Sequence, residues 1–236
     1  MAMFDIDVPY DRTKLHISLP EERVAGVLEG HQSEFKAEGT QEQLIERALD
    51  NPYSSPTLEE LCQNKHDIVI ISSDHTRPVP SKVTMPILLR RIHAAAPQAR
   101  VRILVATGMH RPSTHEELVD KYGEEIVANE EIVMHVATDD DAMIHIGTLP
   151  SGGSCIINRI AAQADLLLAE GFIEPHFFAG FSGSRKSVLP GIASYKTIMY
   201  NHNGQFIHDS HSRAGVLAGN QVHEDMMAAA EMAGLR

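Results

Sequence analysis

The chain has 236 residues, with 20 Lys+Arg against 32 Asp+Glu and a formal net charge of −12. At 43% hydrophobic content it can bury one large core or two small ones, which excludes a disordered chain. The acidic balance lacks the basic footprint that nucleic acid or an anionic membrane surface requires, so small molecules are the expected partners. Cys62 and Cys155 stand far apart without a CxxC, which excludes a disulfide scaffold and a structural zinc site; both read as small buried hydrophobes. No run reaches 18 apolar residues and the start, MAMFDIDVPYDRTK, has no apolar signal segment, so a cytoplasmic protein is expected. The odd number is fourteen histidines, a side chain suited to proton transfer and metal binding near neutrality.

Residues 1–65 are the least regular. Positions 15–19 alternate like a strand, and Thr40 with Gln43 reads as a capping box that opens a helix through Ala48. This stretch is expected to be an addition to a single domain covering 1–236. From residue 67 the chain alternates short apolar runs with amphipathic ones. IVIIS (68–72), VRILVA (101–106), IVMHVA (132–137) and DLLLAE (165–170) predict strands buried on both faces. Between them, 81–95 predicts a helix with Val83, Ile87, Leu88 and Ile92 near one face, its first turns ended or kinked by Pro86. A capped helix is predicted at 113–122 and a crossover helix at 156–164. The βαβαβαβ pattern predicts a doubly wound, mostly parallel α/β sheet with helices on both faces. Asn220 is placed to cap a last helix from Gln221. The chain then stops at Gly234-Leu235-Arg236, where another strand is expected, and this predicts a further domain absent from it.

In open α/β sheets ligands bind beyond the carboxyl ends of the strands. The four predicted strands are followed by Asp74-His75-Thr76-Arg77-Pro78, by Thr107-Gly108-Met109-His110-Arg111-Pro112, by Thr138-Asp139-Asp140-Asp141, and by a segment from Gly171 to Ser187. These loops are expected to open toward one sheet edge. Within the last, Gly180-Phe181-Ser182-Gly183-Ser184-Arg185-Lys186-Ser187 combines small residues with two cations. It reads either as a phosphate cradle or as a glycine-rich surface turn. It is neither a Walker A motif, a GxGxxG fingerprint nor a GxSxG elbow. His75, His110 and His176 sit just past strand ends, and His202 follows soon after. His208-x-x-His211 is a weak metal pair, and residues 139–141 read as a cation site or a solvated turn. His16, His31, His66, His93, His135, His145 and His223 read as structural or solvated.

At these loops the sequence resembles the lactate racemase family, the nickel-pincer racemases and epimerases of 2-hydroxy acids. The carrying residues are Asp74-His75-Thr76-Arg77-Pro78, Thr107-Gly108-Met109-His110-Arg111, the run from Glu174 through His176 to Lys186, and Asn201-His202-Asn203. The resemblance covers only the family's N-terminal, cofactor-binding domain and implies a second α/β domain missing here. It implies a nickel-pyridinium-3,5-bisthiocarboxylic acid mononucleotide tethered to Lys186, with His202 as the protein ligand to nickel. Asp74, His75, Thr76, Arg77, Gly180, Ser182, Gly183, Ser184 and Arg185 would hold the nucleotide, and His110 and His176 would be the acid/base pair. Arg77 is also assigned the substrate carboxylate. The implied reaction is racemisation of a small 2-hydroxy acid by reversible hydride transfer, with cofactor-synthesis proteins as partners and little turnover from the isolated chain. Two other readings stand beside it: a divalent-metal hydrolase built on His110, His176 and residues 139–141, and a non-catalytic nucleotide-binding module.

Overall fold

The structure, a computed structural model, describes residues 2–11 and 13–236. The alternation at 15–19 belongs to an antiparallel hairpin of β1 (Met3–Tyr10) and β2 (Thr13–Pro20), in register from Met3 opposite Pro20 to Tyr10 opposite Thr13. His16 Nδ1 lies 2.8 Å from Asp7 Oδ1 across the pair, and that contact raises the imidazole pKa above its ordinary value. The hairpin is part of a compact unit ending at Thr40, and a second unit begins at Gln41. Residues 41–65, grouped by sequence with the N-terminal addition, therefore pack in the larger unit.

That unit runs α1 (Gln41–Asp50), α2 (Leu58–Cys62), β3 (Asp67–Ser73), α3 (Ser81–Ala95), β4 (Arg100–Ala106), α4 (His115–Tyr122), α5 (Glu124–Asn129) and β5 (Glu131–Met134). It continues through β6 (Met143–Thr148), β7 (Ser154–Asn158), α6 (Arg159–Ala162), β8 (Leu166–Ala169), β9 (Pro175–His176) and β10 (Gly180–Phe181). It closes with α7 (Arg185–Val188), α8 (Tyr195–Asn201), α9 (Gly204–Ile207) and α10 (Gln221–Met232). The four predicted strands form one parallel sheet in the order β5-β4-β3-β8. The strand order reverses between β3 and β8, so the loops after those two strands diverge and leave a crevice at the topological switch point.

Both faces of the sheet are covered, as the unbroken apolar runs require. Ile68, Ile70, Ile103, Val105 and Leu166 pack with Cys62, Met85, Leu89, Ile92 and Tyr122, under α2, α3 and α4. Val69, Ile71, Leu104 and Leu167 pack with Cys155, Ile157, Val188, Ile192, Val222 and Met226 on the other face. Helix α3 has the predicted limits but does not end at Pro86, which lies inside it. Proline removes one hydrogen bond there, and burial of Met85, Leu89 and Ile92 outweighs that loss. The crossover helix predicted at 156–164 is corrected more heavily. Residues through Asn158 form β7, paired antiparallel with β6, and only Arg159–Ala162 is helical, capped by Asn158 Oδ1 accepting from Ile160 N at 3.0 Å. Buried Cys155 and Ile157 match a period of two, which the helical reading overlooked.

Candidate active site

The crevice beyond β3 and β8 is a cleft of ≈ 530 Å³. Its walls come from three strand-end loops and the α7–α8 region: Asp74, Thr76 and Arg77 after β3; Thr107, Gly108 and His110 after β4; Glu174, His176, Ser182, Gly183 and Lys186 after β8; and His202 at the end of α8. The fourth predicted loop is not there. β5 is an edge strand remote from the switch point, residues 139–141 do not line the cleft, and Asp140 instead pairs with Lys196 at 2.9 Å. Among the described residues no group of three His, Cys, Asp or Glu side chains is placed to hold a metal ion. The hydrolase reading thus lacks the ligand set it was built on.

One side of the cleft is organised by a carboxylate. Asp74 is almost fully buried at the end of β3. Its Oδ1 accepts from Thr76 N at 3.0 Å and Thr76 Oγ1 at 2.6 Å, while Oδ2 lies 2.6 Å from His110 Nδ1. Burial by itself would raise the carboxyl pKa, but the hydrogen bonds from Thr76 and His110 outweigh it and hold Asp74 below the ordinary value. The pairing fixes the His110 ring through Nδ1 and turns Nε2 away as the nitrogen available to a ligand. Arg77 Nη1 donates to Thr76 Oγ1 at 2.9 Å, which extends the same network.

The other side is organised without a carboxylate. Lys186 Nζ lies 3.1 Å from His176 Nε2. His176 stacks on Phe177 with ring centroids 4.8 Å apart and meets Phe178 edge-on, and Phe178 in turn meets the His202 ring edge-on at 5.1 Å. Burial, then the nearby Arg185 and Arg77 charges, lowers the Lys186 pKa to about 8. Burial followed by the Lys186 charge brings both His176 and His202 down to about 4. At neutral pH both imidazoles are therefore uncharged. His202 Nδ1 is buried and has no hydrogen-bond partner.

The glycine-rich turn holds this side in place. Gly180 has φ +78°, and a Cβ there would stand 2.4 Å from the Val216 carbonyl oxygen. Ser182 Oγ donates to Phe172 O at 3.0 Å and accepts from Glu174 N at 2.8 Å, which ties the turn to the strand β8 exit. Arg185, expected at the nucleotide, spends its donors on the backbone: Nη2 reaches Ala179 O at 3.1 Å and Phe181 O at 2.7 Å, and Nη1 reaches Ser182 O at 3.1 Å. Its Nε donates to His223 Nδ1 at 2.8 Å. Gly180, Ser184 and Arg185 thus stand behind the cleft surface. His75 lies in a neighbouring hollow, 2.9 Å from Ser113 Oγ and 3.6 Å from Glu117. Sequence reasoning missed Glu170, a buried residue that borders the cleft and whose carboxylate accepts from Ser72 at 2.5 Å, Ser81 at 2.6 Å and Thr84 at 2.5 Å. Its place at a strand end was a usable signal. His135 is structural as read: wholly buried, it contacts Ala193 O at 3.0 Å and Asn158 at 3.3 Å.

The chain matches the family model described as the lactate racemase N-terminal domain over residues 10–215. It is 61% identical over 233 residues to a lactate racemase of Lactiplantibacillus plantarum and 50% identical to one of Thermoanaerobacterium thermosaccharolyticum, covering 99% of this chain and 55% of each relative. Among solved structures, the lactate racemase apoprotein from the latter organism superposes with a TM-score of 0.88 at 49% identity, over 98% of this chain and 54% of that one. A Thermotoga maritima protein shares the fold at 22% identity, with a TM-score of 0.65 over 81% of this chain and 47% of its own. The chain spans about half the length of the curated relatives it matches. With its family motifs gathered at one switch-point cleft, the chain belongs to the lactate racemase N-terminal domain family.

Proposed function

We propose that this chain is the cofactor-carrying and acid/base part of a 2-hydroxy acid racemase, acting with a nickel-bearing pyridinium mononucleotide joined to Lys186. The observation that carries this reading is the convergence of Lys186, His176 and His202 in one partly apolar pocket, where burial lowers the pKa of each. A lysine whose pKa is lowered to about 8 offers more free amine for a covalent tether than an ordinary lysine, and a buried, unpartnered imidazole nitrogen is the donor a soft-to-borderline metal takes. The residues present fit the group. Lys186 would hold it covalently and His202 would ligate the nickel, the remaining ligands coming from the group itself. Thr76, Arg77 and the turn at Ser182 and Gly183 lie where nucleotide oxygens would be met, and Arg77 has a guanidinium suited to a substrate carboxylate.

When bound, the pyridinium would supply the hydride acceptor and donor. The chain's own residues handle the proton. His110, oriented through Nδ1 by Asp74, takes the substrate hydroxyl proton at Nε2 as the hydroxyl carbon becomes a carbonyl. His176 serves the same oxygen from the other loop, returning a proton when the carbonyl is reduced on its opposite face. The accepting role needs an imidazole that is neutral at the start and the returning role one that already holds a proton, and the carboxylate at His110 faces the cation that forms there. Phe177 and Phe178 pack against the His176 ring and cover part of it. We place the protein in the cytoplasm with cofactor-synthesis proteins as partners; no helix among the described residues is long and apolar enough to cross a membrane.

Intact mass of the protein co-expressed with cofactor-synthesis proteins tests the reading. An adduct confined to Lys186 together with one nickel per chain is expected. An unmodified Lys186 under those conditions would overturn it.

A further inference from the structure

The Asp74 side of the cleft is a loop, residues 74–80, that leaves β3 and enters α3. The two flanks of that loop meet at a single atom. Glu170, the residue after β8, accepts at Oε1 from Ser72 Oγ of β3 at 2.5 Å and from Ser81 Oγ at the start of α3 at 2.6 Å. Its Oε2 accepts from Thr84 Oγ1, further along α3, at 2.5 Å. The backbone fixes this carboxylate to the sheet, since Glu170 N donates to Ile71 O at 3.0 Å. Tyr122 of α4 donates its hydroxyl to Ser72 Oγ at 2.7 Å and steadies the same junction. Helix α3 has no side-chain cap at Pro80, so the contacts of Glu170 with Ser81 and Thr84 restrain its start. Glu170, Ser72 and Ser81 are all buried, where water competes little for these hydrogen bonds.

We propose that Glu170 is a positioning residue for the His110 side: Oε1 closes the 74–80 loop across its base, and that closure sets where Asp74 stands and how His110 is presented to the cleft. The Asp74 side chain bonds to Thr76 in the same loop and to His110, so its own contacts shape the loop without tying it to the sheet. His75 joins the loop to Ser113, on another loop, at 2.9 Å. Glu170 alone among these contacts links β3, α3 and the end of β8 at the loop's base. The role is geometric. An amide oxygen accepts from two hydroxyls as a carboxylate oxygen does, and the Thr84 hydroxyl can accept from an amide N–H instead of donating. Glu170→Gln therefore keeps the closure, and Glu170→Met, of similar length but without oxygens, loses it.

The closure does not depend on the racemase reading; only its effect on turnover rests on that reading. The test is ¹⁵N-histidine NMR of the cofactor-free 236-residue chain at about pH 9, where an ordinary imidazole is neutral. It measures the share of the His110 tautomer that carries its proton on Nδ1. Contact with the Asp74 carboxylate favours that tautomer, and Asp74→Ala marks the share left without it. Glu170→Met is expected to move the share at least about halfway to the Asp74→Ala value. Ser81→Ala should move it less in the same direction, and Glu170→Gln should keep it near that of the unaltered chain. Exchange of the Phe178 amide, on the His176 side, should be the same in all of them. In the cofactor-loaded enzyme, turnover should fall about 10- to 100-fold in Glu170→Met and be largely restored in Glu170→Gln. A share unmoved by both Glu170→Met and Ser81→Ala, a shift in Glu170→Gln as large as in Glu170→Met, or equal loosening at Phe178 would each overturn the proposal. If Glu170→Met does not fold, Ser81→Ala and Glu170→Gln decide alone. A displaced His110 with undiminished turnover would instead sink the acid/base role of His110 and leave the closure standing.

Discussion

His110 and His176 line one cleft, yet their surroundings are opposed. His110 has a buried carboxylate 2.6 Å away and neighbouring hydroxyls; His176 has a lysine 3.1 Å away, two aromatic rings and two arginines nearby. Burial and the nearby cations of the second environment favour a neutral ring. The difference comes from the chain that builds each side. Asp74 and Thr76 close an Asx-type turn directly off β3, a rigid central strand, so their geometry is local. The His176 side is a long excursion, stitched by Ser182, Arg185 and Asn220 to remote carbonyls. A reaction that takes a proton on one side and returns it on the other needs two such groups, and here each is held by its own loop.

The largest expected effect separates the two sides. Asp74→Asn leaves shape and most contacts but loses the charge that orients His110 and stabilises its cation. Turnover of the cofactor-loaded enzyme should fall by about 10²- to 10⁴-fold while the mass adduct on Lys186 is unchanged; loss of the adduct would show that the two sides are not independent. Next is Gly180→Val, which forces a β-branched residue into φ +78° with its Cβ against the Val216 carbonyl. It should cost about 3 kcal/mol or more in urea unfolding and disorder the His176 side selectively, with the Asp74–His110 contact still visible by NMR.

Acid should act in the same selective way. His176, His202 and His135 all have folded-state pKa values near 4, against about 6.5 in the unfolded chain. Between those limits the unfolded state binds more protons, so stability is full above about pH 6.5 and is lost as pH falls toward 4. Wholly buried His135 contributes up to about 3 kcal/mol of that slope. The Asp74 pKa is lowered as well, and because a carboxyl starts from a lower ordinary value its contribution is lost only as pH falls below about 4. A urea midpoint that stays flat from pH 7.5 to 5 would contradict this assignment. The smallest effect is expected for Asn220→Ala. Asn220 caps α10 through His223 N at 3.2 Å and donates to Phe178 O at 2.9 Å and Val216 O at 3.1 Å. Its loss should cost about 1–2 kcal/mol and slightly loosen the aromatic wall beside His176, read as faster exchange of the Phe178 amide.

Much of this arrangement was legible in the sequence because it is local or periodic. Unbroken apolar runs mark the four strands, and the residues just past three of them line the cleft. Asn220 was readable as a cap for the same reason. The errors fell where pairing partners are distant or two periods compete. Ile156 and Ile157 pass for a helix until β6 supplies a strand to pair with, and residues 139–141 look like a site loop until β5 is known to be the sheet edge. Nor does any local pattern show that Arg185 directs donors to three backbone carbonyls.

The amino-acid sequence by itself determined which segments are strands, which loops carry chemistry, and which side chains are able to transfer protons or bind a metal, since these follow from composition and period. Only the tertiary structure decided how those groups are charged. Burial, a carboxylate 2.6 Å from one histidine, and an amine 3.1 Å from the other arise from contacts between residues up to 36 positions apart, and no local pattern encodes such distances.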